Sequence, residues 1–255
     1  MNLEGYGNAL FTIKDDKNKK NNNRLVSLDS DKKNAYTHFN FINLTKENES
    51  IQQIPDFTKE RTITYICGAS GSGKSYYTKK YADEYRRIYP KNEIYLISSI
   101  TDDSSIDKLK GLKRIDIKNP DFIKDELTAD DFKNSLVIFD DTDCITNKLI
   151  KNKVNSLLHN LLEVGRHSNV SLVLTSHLAY NGNETKKILN ECHSITFFPL
   201  SLGGRSLKYL LECYLGLDKD QIKKLKNIKS RWITILKTYP QVVLGEKDAF
   251  LLKDL

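Results

Sequence analysis

The sequence predicts an α/β fold: a mostly parallel central sheet flanked by helices, with smaller β-rich additions toward both ends. A glycine-rich loop, Gly68-Ala69-Ser70-Gly71-Ser72-Gly73-Lys74-Ser75, follows the apolar, β-rich run at residues 62–67 and precedes a helical pattern. Apolar strand-like runs then alternate with helical stretches, the signature of a parallel sheet covered on both faces. At 255 residues and 39% apolar content, the chain is long enough for one principal core plus small appended elements.

Residues 1–60 set two short apolar runs, Ala9-Leu10-Phe11-Thr12-Ile13 and Phe39-Asn40-Phe41-Ile42, among Asn, Asp and Lys, and predict a β-rich appendage. Between them, residues 14–23 are too polar to pack and read as a mobile loop. Residues 61–200 form the core. Its first helix carries Tyr77, Tyr81, Tyr85 and Ile88 on one buried stripe and stops at Pro90. Strands are expected at 94–98, 114–117 and 135–140. A long helix follows, with Ile150, Val154, Leu157, Leu158, Leu161 and Leu162 on one face and Gly165 as its C-terminal cap. Runs at 171–175 and 195–198 bring the core to about five strands. Residues 201–255 extend the same domain. Leu207, Leu210, Leu211 and Tyr214 predict a helix, and Asp218 caps another carrying Ile222, Leu225 and Ile228. Residues 231–252 read as terminal β-structure.

The formal charge of +7 and pI near 9.0 give a positive field suited to an anionic partner. Cys67, Cys144, Cys192 and Cys213 are dispersed, without a C-x-x-C pair, and read as free thiols in a reducing compartment. No apolar run approaches a membrane span and the start lacks a signal layout, so an intracellular protein with no membrane partner is expected.

The chemistry begins at the loop, whose glycines let backbone N–H groups turn toward a polyphosphate at a helix N-terminus. Lys74 would reach the β- and γ-phosphates and the Ser75 hydroxyl would ligate Mg²⁺, so ATP and Mg²⁺ are the expected substrate and cofactor. Phe139-Asp140-Asp141 ends an apolar strand, where the ligand crevice of a parallel sheet lies. Asp140 would share the metal with Ser75. Asp141 reads either as a general base or, with Asp143, as an acidic loop cap. Arg166, in Gly165-Arg166-His167, reads either as an arginine reaching a neighbouring subunit's γ-phosphate or as a cation on a helix C-terminus; Arg205 is the reserve candidate. His177, in Thr175-Ser176-His177, ends the next strand and could bond the γ-phosphate or the attacking water. Lys219, Lys223, Lys224, Lys226, Lys229 and Arg231 crowd one segment, read as a solvated face or a contact to DNA phosphates.

Together, the phosphate loop, Asp140-Asp141 and the segment from Gly165-Arg166-His167 to Thr175-Ser176-His177 resemble the genome-packaging ATPases of large eukaryotic DNA viruses and virophages, the poxvirus-type members of the FtsK–HerA superfamily of P-loop NTPases. The resemblance spans roughly residues 60–200. It implies a RecA-like (ASCE) P-loop NTPase fold, a homo-oligomeric pentamer or hexamer ring, and ATP-driven translocation of double-stranded DNA into a capsid. It further implies a capsid or portal protein as docking partner, a location in host cytoplasm or virus factory with possible association to the virion, and Arg166 as the trans arginine. The chain departs from the family in having His177 where Gln is usual, and Asp141 where the superfamily frequently has Glu. Two other readings of the loop are a nucleoside or nucleotide kinase, which would need an arginine-rich lid, and a nucleotide-dependent assembly switch.

Overall fold

A computed structural model describes residues 1–18, 23–29 and 37–255. The first segment holds β1 (Asn8–Asp15), β2 (Arg24–Leu28), β3 (Phe41–Asn43) and β4 (Glu49–Gln53). The core runs β5 (Ile63–Cys67), α1 (Lys74–Ile88), β6 (Glu93–Ser98), β7 (Leu112–Arg114), α2 (Pro120–Lys124), β8 (Ser135–Asp140), α3 (Lys148–Val164), β9 (Ser171–Ser176), α4 (Gly182–Glu191) and β10 (Ser194–Phe197). Then come α5 (Gly204–Tyr209), which widens into a π turn at Leu210–Tyr214, α6 (Lys219–Asn227), β11 (Ile233–Leu236), β12 (Val242–Leu244) and β13 (Asp248–Leu251).

Among the described residues the main sheet has ten strands in the order β3-β13-β12-β11-β10-β5-β9-β8-β6-β7. From β10 to β7 every pairing is parallel; from β10 outward through β11 to β3 every pairing is antiparallel. β9 therefore stands between β5 and β8, and the C-terminal ends of these three strands lie side by side. All three are buried along their length, as expected of parallel strands covered on both faces. The sheet is wider than the sequence suggests because β11, β12 and β13 continue it as hairpins.

The first 60 residues are divided between two sheets. β2-β1-β4 form a separate three-stranded sheet, while β3 pairs with β13 at the edge of the main one. Leu10, Phe11, Ile13 and Val26 share a core with Leu236, Val242, Leu244 and Leu251, so the two ends of the chain pack on each other. β1 also runs further than its polarity suggests, through Lys14 and Asp15, because Lys14 pairs with the buried Glu84 of α1 at 2.6 Å. Residues 19–22 of the expected loop lie outside the described residues.

Tyr77, Tyr81 and Tyr85 form the buried stripe of α1, and Asp218 caps α6 in a reciprocal box with Gln221. One expectation changes, and two features lie beyond the sequence reading. The strand expected at 114–117 ends at Arg114: Asp116 accepts from the Lys118 N–H at 3.0 Å, a local turn that bends the chain and leaves Ile117 buried. Gly165 does end α3, but with right-handed φ of −59°. A Cβ there would meet Leu161 O and lie 2.9 Å from the Arg61 guanidinium, which itself caps the helix by donating to Leu161 O and Leu162 O at 2.6 and 2.7 Å. Finally, α4 buries only Thr185, Ile188 and Leu189 among its described side chains, too few apolar positions to reveal a helical period.

His193 sits at the head of β5, accepting the Ile63 N–H on Nδ1 at 2.9 Å. Burial, reinforced by Lys59, Arg61 and Lys237, pushes its pKa down to about 4. The folded state thus holds it neutral, a contribution fully present above the unfolded value and lost as pH falls from 6.5 toward 4, in total about 3 kcal/mol. His193→Asn retains an acceptor and should flatten this part of the acid dependence, read by comparing melting curves of the two proteins at pH 7 and pH 4.5.

Candidate active site

The chain leaves β5 and turns into α1 through residues 68–73. Gly71 and Gly73 adopt φ of +74° and +112°, left-handed values open to glycine at little steric cost. A Cβ on Gly68 would come within 2.6 Å of Ser72 Oγ. The Gly68 N–H donates to Ser176 O at 3.0 Å, tying the loop to the tip of β9. Among the described residues, the N–H groups of Ser70, Gly71 and Gly73 meet no protein acceptor, and the buried Ser72 hydroxyl has no partner. Free donors wrapped in front of a helix N-terminus fit a polyphosphate.

Lys74 opens α1, and its side chain is 5% exposed. Its ammonium lies 3.0 Å from Gly68 O, 3.6 Å from Asp141 Oδ1 and 3.4 Å from His177 Nδ1. A protonated lysine only donates, so Nδ1 accepts; Nε2 then carries the proton and faces Asp141 Oδ2 at 3.2 Å. Lys74, Asp141 and His177, which the sequence proposes separately, close into one triangle over the loop.

Asp140 is buried beneath that triangle, 1% exposed. It accepts from Thr175 Oγ1 at 2.9 Å and Ser98 Oγ at 3.3 Å. Burial first, and the neighbouring Asp141 carboxylate second, push its pKa up to about 6. Thr175 Oγ1 also accepts the Asp141 N–H at 2.8 Å and lies 3.1 Å from Asp141 Oδ1, so one hydroxyl in β9 reaches both carboxylates. Asp141 is left-handed, φ +46°, which swings it away from the strand line toward Lys74. Asp143 caps β9, taking the Ser176 hydroxyl at 3.0 Å and the His177 N–H at 3.3 Å. Sequence reading misses Ser98, Thr175 and Asp143 as supports because each acts across strands.

Among the described residues no group of three His, Cys, Asp or Glu could hold a metal ion. A hydroxyl at Ser75 and one carboxylate at Asp140 suit Mg²⁺, which takes few protein ligands and completes its shell with substrate phosphates and water.

Arg166 is not part of this assembly. α3 runs from the C-terminal end of β8 back to the N-terminal end of β9, leaving Arg166 at the opposite edge of the sheet, 68% exposed and ion-paired with Glu60. Arg205 lies exposed in α5. In α6, Ile222 and Leu225 are buried while Lys219, Lys223, Lys224 and Lys226 are exposed, Lys224 bonding the Leu255 main-chain oxygen. Arg231, grouped with these lysines by sequence, stands apart from them: its Nε donates to Ser72 O at 3.2 Å, placing it against the phosphate loop. No linear motif signals that contact, since β11 reaches the loop only through the fold.

No family model matches the chain. Over 192 residues it is 42% identical to protein V3 of Sputnik virophage, an uncharacterized protein, the match covering 74% of this chain and 76% of that protein. Among solved structures it is similar to B204, the DNA-packaging ATPase of Sulfolobus turreted icosahedral virus, with TM-score 0.50 and 17% identity over 74% of this chain and 98% of B204. The cytoplasmic domain of the type VII secretion ATPase EccC of Thermomonospora curvata gives TM-score 0.50 and 12% identity over 87% of this chain and 30% of that one. At such identities both speak for the fold, that of a P-loop ATPase with a mostly parallel central sheet.

Proposed function

Because this chain belongs to the family of the Sputnik virophage V3 protein and has the fold of viral genome-packaging NTPases of the FtsK–HerA type, we propose that it hydrolyses ATP to drive double-stranded DNA into a capsid. The observation that carries the reading is the convergence of Lys74, Asp141 and His177 on a loop of free N–H donors, with Asp140 held beneath.

Ser75 and Asp140 would hold Mg²⁺, which when bound neutralises charge on the phosphates. Lys74 would exchange Gly68 O and Asp141 for phosphate oxygens, since the incoming anion competes directly for its ammonium. That exchange frees the Asp141 carboxylate to orient an attacking water and take its proton. His177 would keep its Nε2 bond to Asp141 and turn Nδ1 toward the water or γ-phosphate, a sensor role built on His instead of Gln. Arg166 lies too far along the sheet to serve its own loop; in a ring of five or six copies it would act in trans, after release from Glu60. The exposed lysines of α6 and the net charge of +7 support a DNA partner.

Phosphate release should rise several-fold on adding double-stranded DNA, with mass measurement of the nucleotide-bound protein giving a closed ring. A strict monomer whose hydrolysis ignores DNA contradicts the motor, and phosphate transfer to a nucleoside would install a kinase.

A further inference from the structure

The γ end of a triphosphate on this loop would meet Lys74 of α1 together with Asp141 and His177, which follow β8 and β9 on one side of β5. The nucleoside must then leave on the other side, toward β10 and β11. A cavity of about 610 Å³ opens there and runs along α1 to β4; its end at Gly73 is lined by Tyr76, Phe198, Arg231 and Trp232. Tyr76 stands in the first turn of α1, 57% exposed, with the Lys80 ammonium 5.6 Å from its ring centre. Arg231 leans across Gly73, where a Cβ would lie 3.1 Å from its guanidinium, and is steadied by the Ser72 carbonyl. Its backbone is held by Glu246, which accepts the Arg231 N–H at 2.9 Å. Trp232, its neighbour, packs edge-on against Tyr77 at 4.9 Å and forms the cavity floor.

We propose that this cavity is the nucleoside seat, in which Tyr76 and Arg231 flank the base of the bound nucleoside triphosphate. Both groups present planar π surfaces, and stacking of bases on aromatic rings and guanidinium planes needs no hydrogen-bond code. The proposal rests on the reading of the loop as a triphosphate site. Calorimetric titration of the full chain with Mg·ATP and with Mg·tripolyphosphate separates the two ideas. Tyr76→Ala, and Arg231→Lys, which keeps the cation beside the loop but loses the guanidinium plane, should each weaken ATP binding about tenfold and leave tripolyphosphate binding unchanged. Both side chains are exposed, so truncation opens no core. Unchanged ATP affinity in either variant, or a parallel loss for tripolyphosphate, overturns the nucleoside seat while leaving the phosphate site standing. A wild type that binds neither ligand overturns both.

Discussion

Asp140→Asn is expected to abolish Mg²⁺-dependent hydrolysis and at the same time to stabilise the ligand-free protein. The carboxylate is buried and its pKa is raised from 3.8 to about 6, so the folded state disfavours its ionised form. Below pH 3.8 the group is protonated in both states and costs nothing. Between 3.8 and 6 the unfolded chain releases the proton and the folded chain does not, so stability falls with rising pH; above 6 the full cost remains, about 3 kcal/mol. Asn has nearly the same shape, and the Thr175 and Ser98 hydroxyls can rotate to serve one carbonyl and one amide. At pH 8 the variant should melt roughly 5 °C or more above wild type, with the advantage gone by pH 4. Its hydrolysis should fall at least about a hundredfold, because a neutral amide holds a divalent cation poorly. Calorimetric melting at both pH values and phosphate release check the two halves. A variant that is less stable at pH 8 would show that Asp140 is a structural anchor.

Asp141→Asn should separate binding from chemistry. Asn tolerates left-handed backbone better than other non-glycine residues, so φ of +46° is retained and the Thr175 bond to the Asp141 N–H is undisturbed. Lys74 loses its resting carboxylate and becomes freer to meet phosphate, so ATP affinity should hold or improve. Loss of the base should lower kcat about 10²- to 10⁴-fold. Nucleotide titration and single-turnover hydrolysis read the two effects separately. Equal loss of binding and turnover would mean that Asp141 positions Lys74 and takes no part in the proton transfer.

What the sequence reveals follows the reach of each interaction. The loop from Gly68 to Ser75 is legible because strand, glycines, lysine and helix are contiguous, and β8 and β9 because strands buried on both faces are apolar throughout. The α1 stripe and the Asp218 cap are likewise local. Most of what escapes is nonlocal. The placing of β9 between β5 and β8 lets Thr175 bridge both carboxylates, yet nothing in Thr175-Ser176-His177 foretells strand order. Arg231 reads as one more cation of a basic segment until β11 carries it to Ser72. Gly165 reads as a helix cap, whereas what excludes a side chain there is the Leu161 carbonyl oxygen, 2.4 Å from where a Cβ would stand.

The most direct test is displacement of a third strand. A triplex-forming oligonucleotide paired to one end of a linear duplex should be released when the protein and Mg·ATP are added, and retained with a nonhydrolysable analogue or with Asp141→Asn. Release that needs ATP hydrolysis is the predicted result. ATP hydrolysis by an assembled ring that leaves the third strand in place would contradict the translocation account.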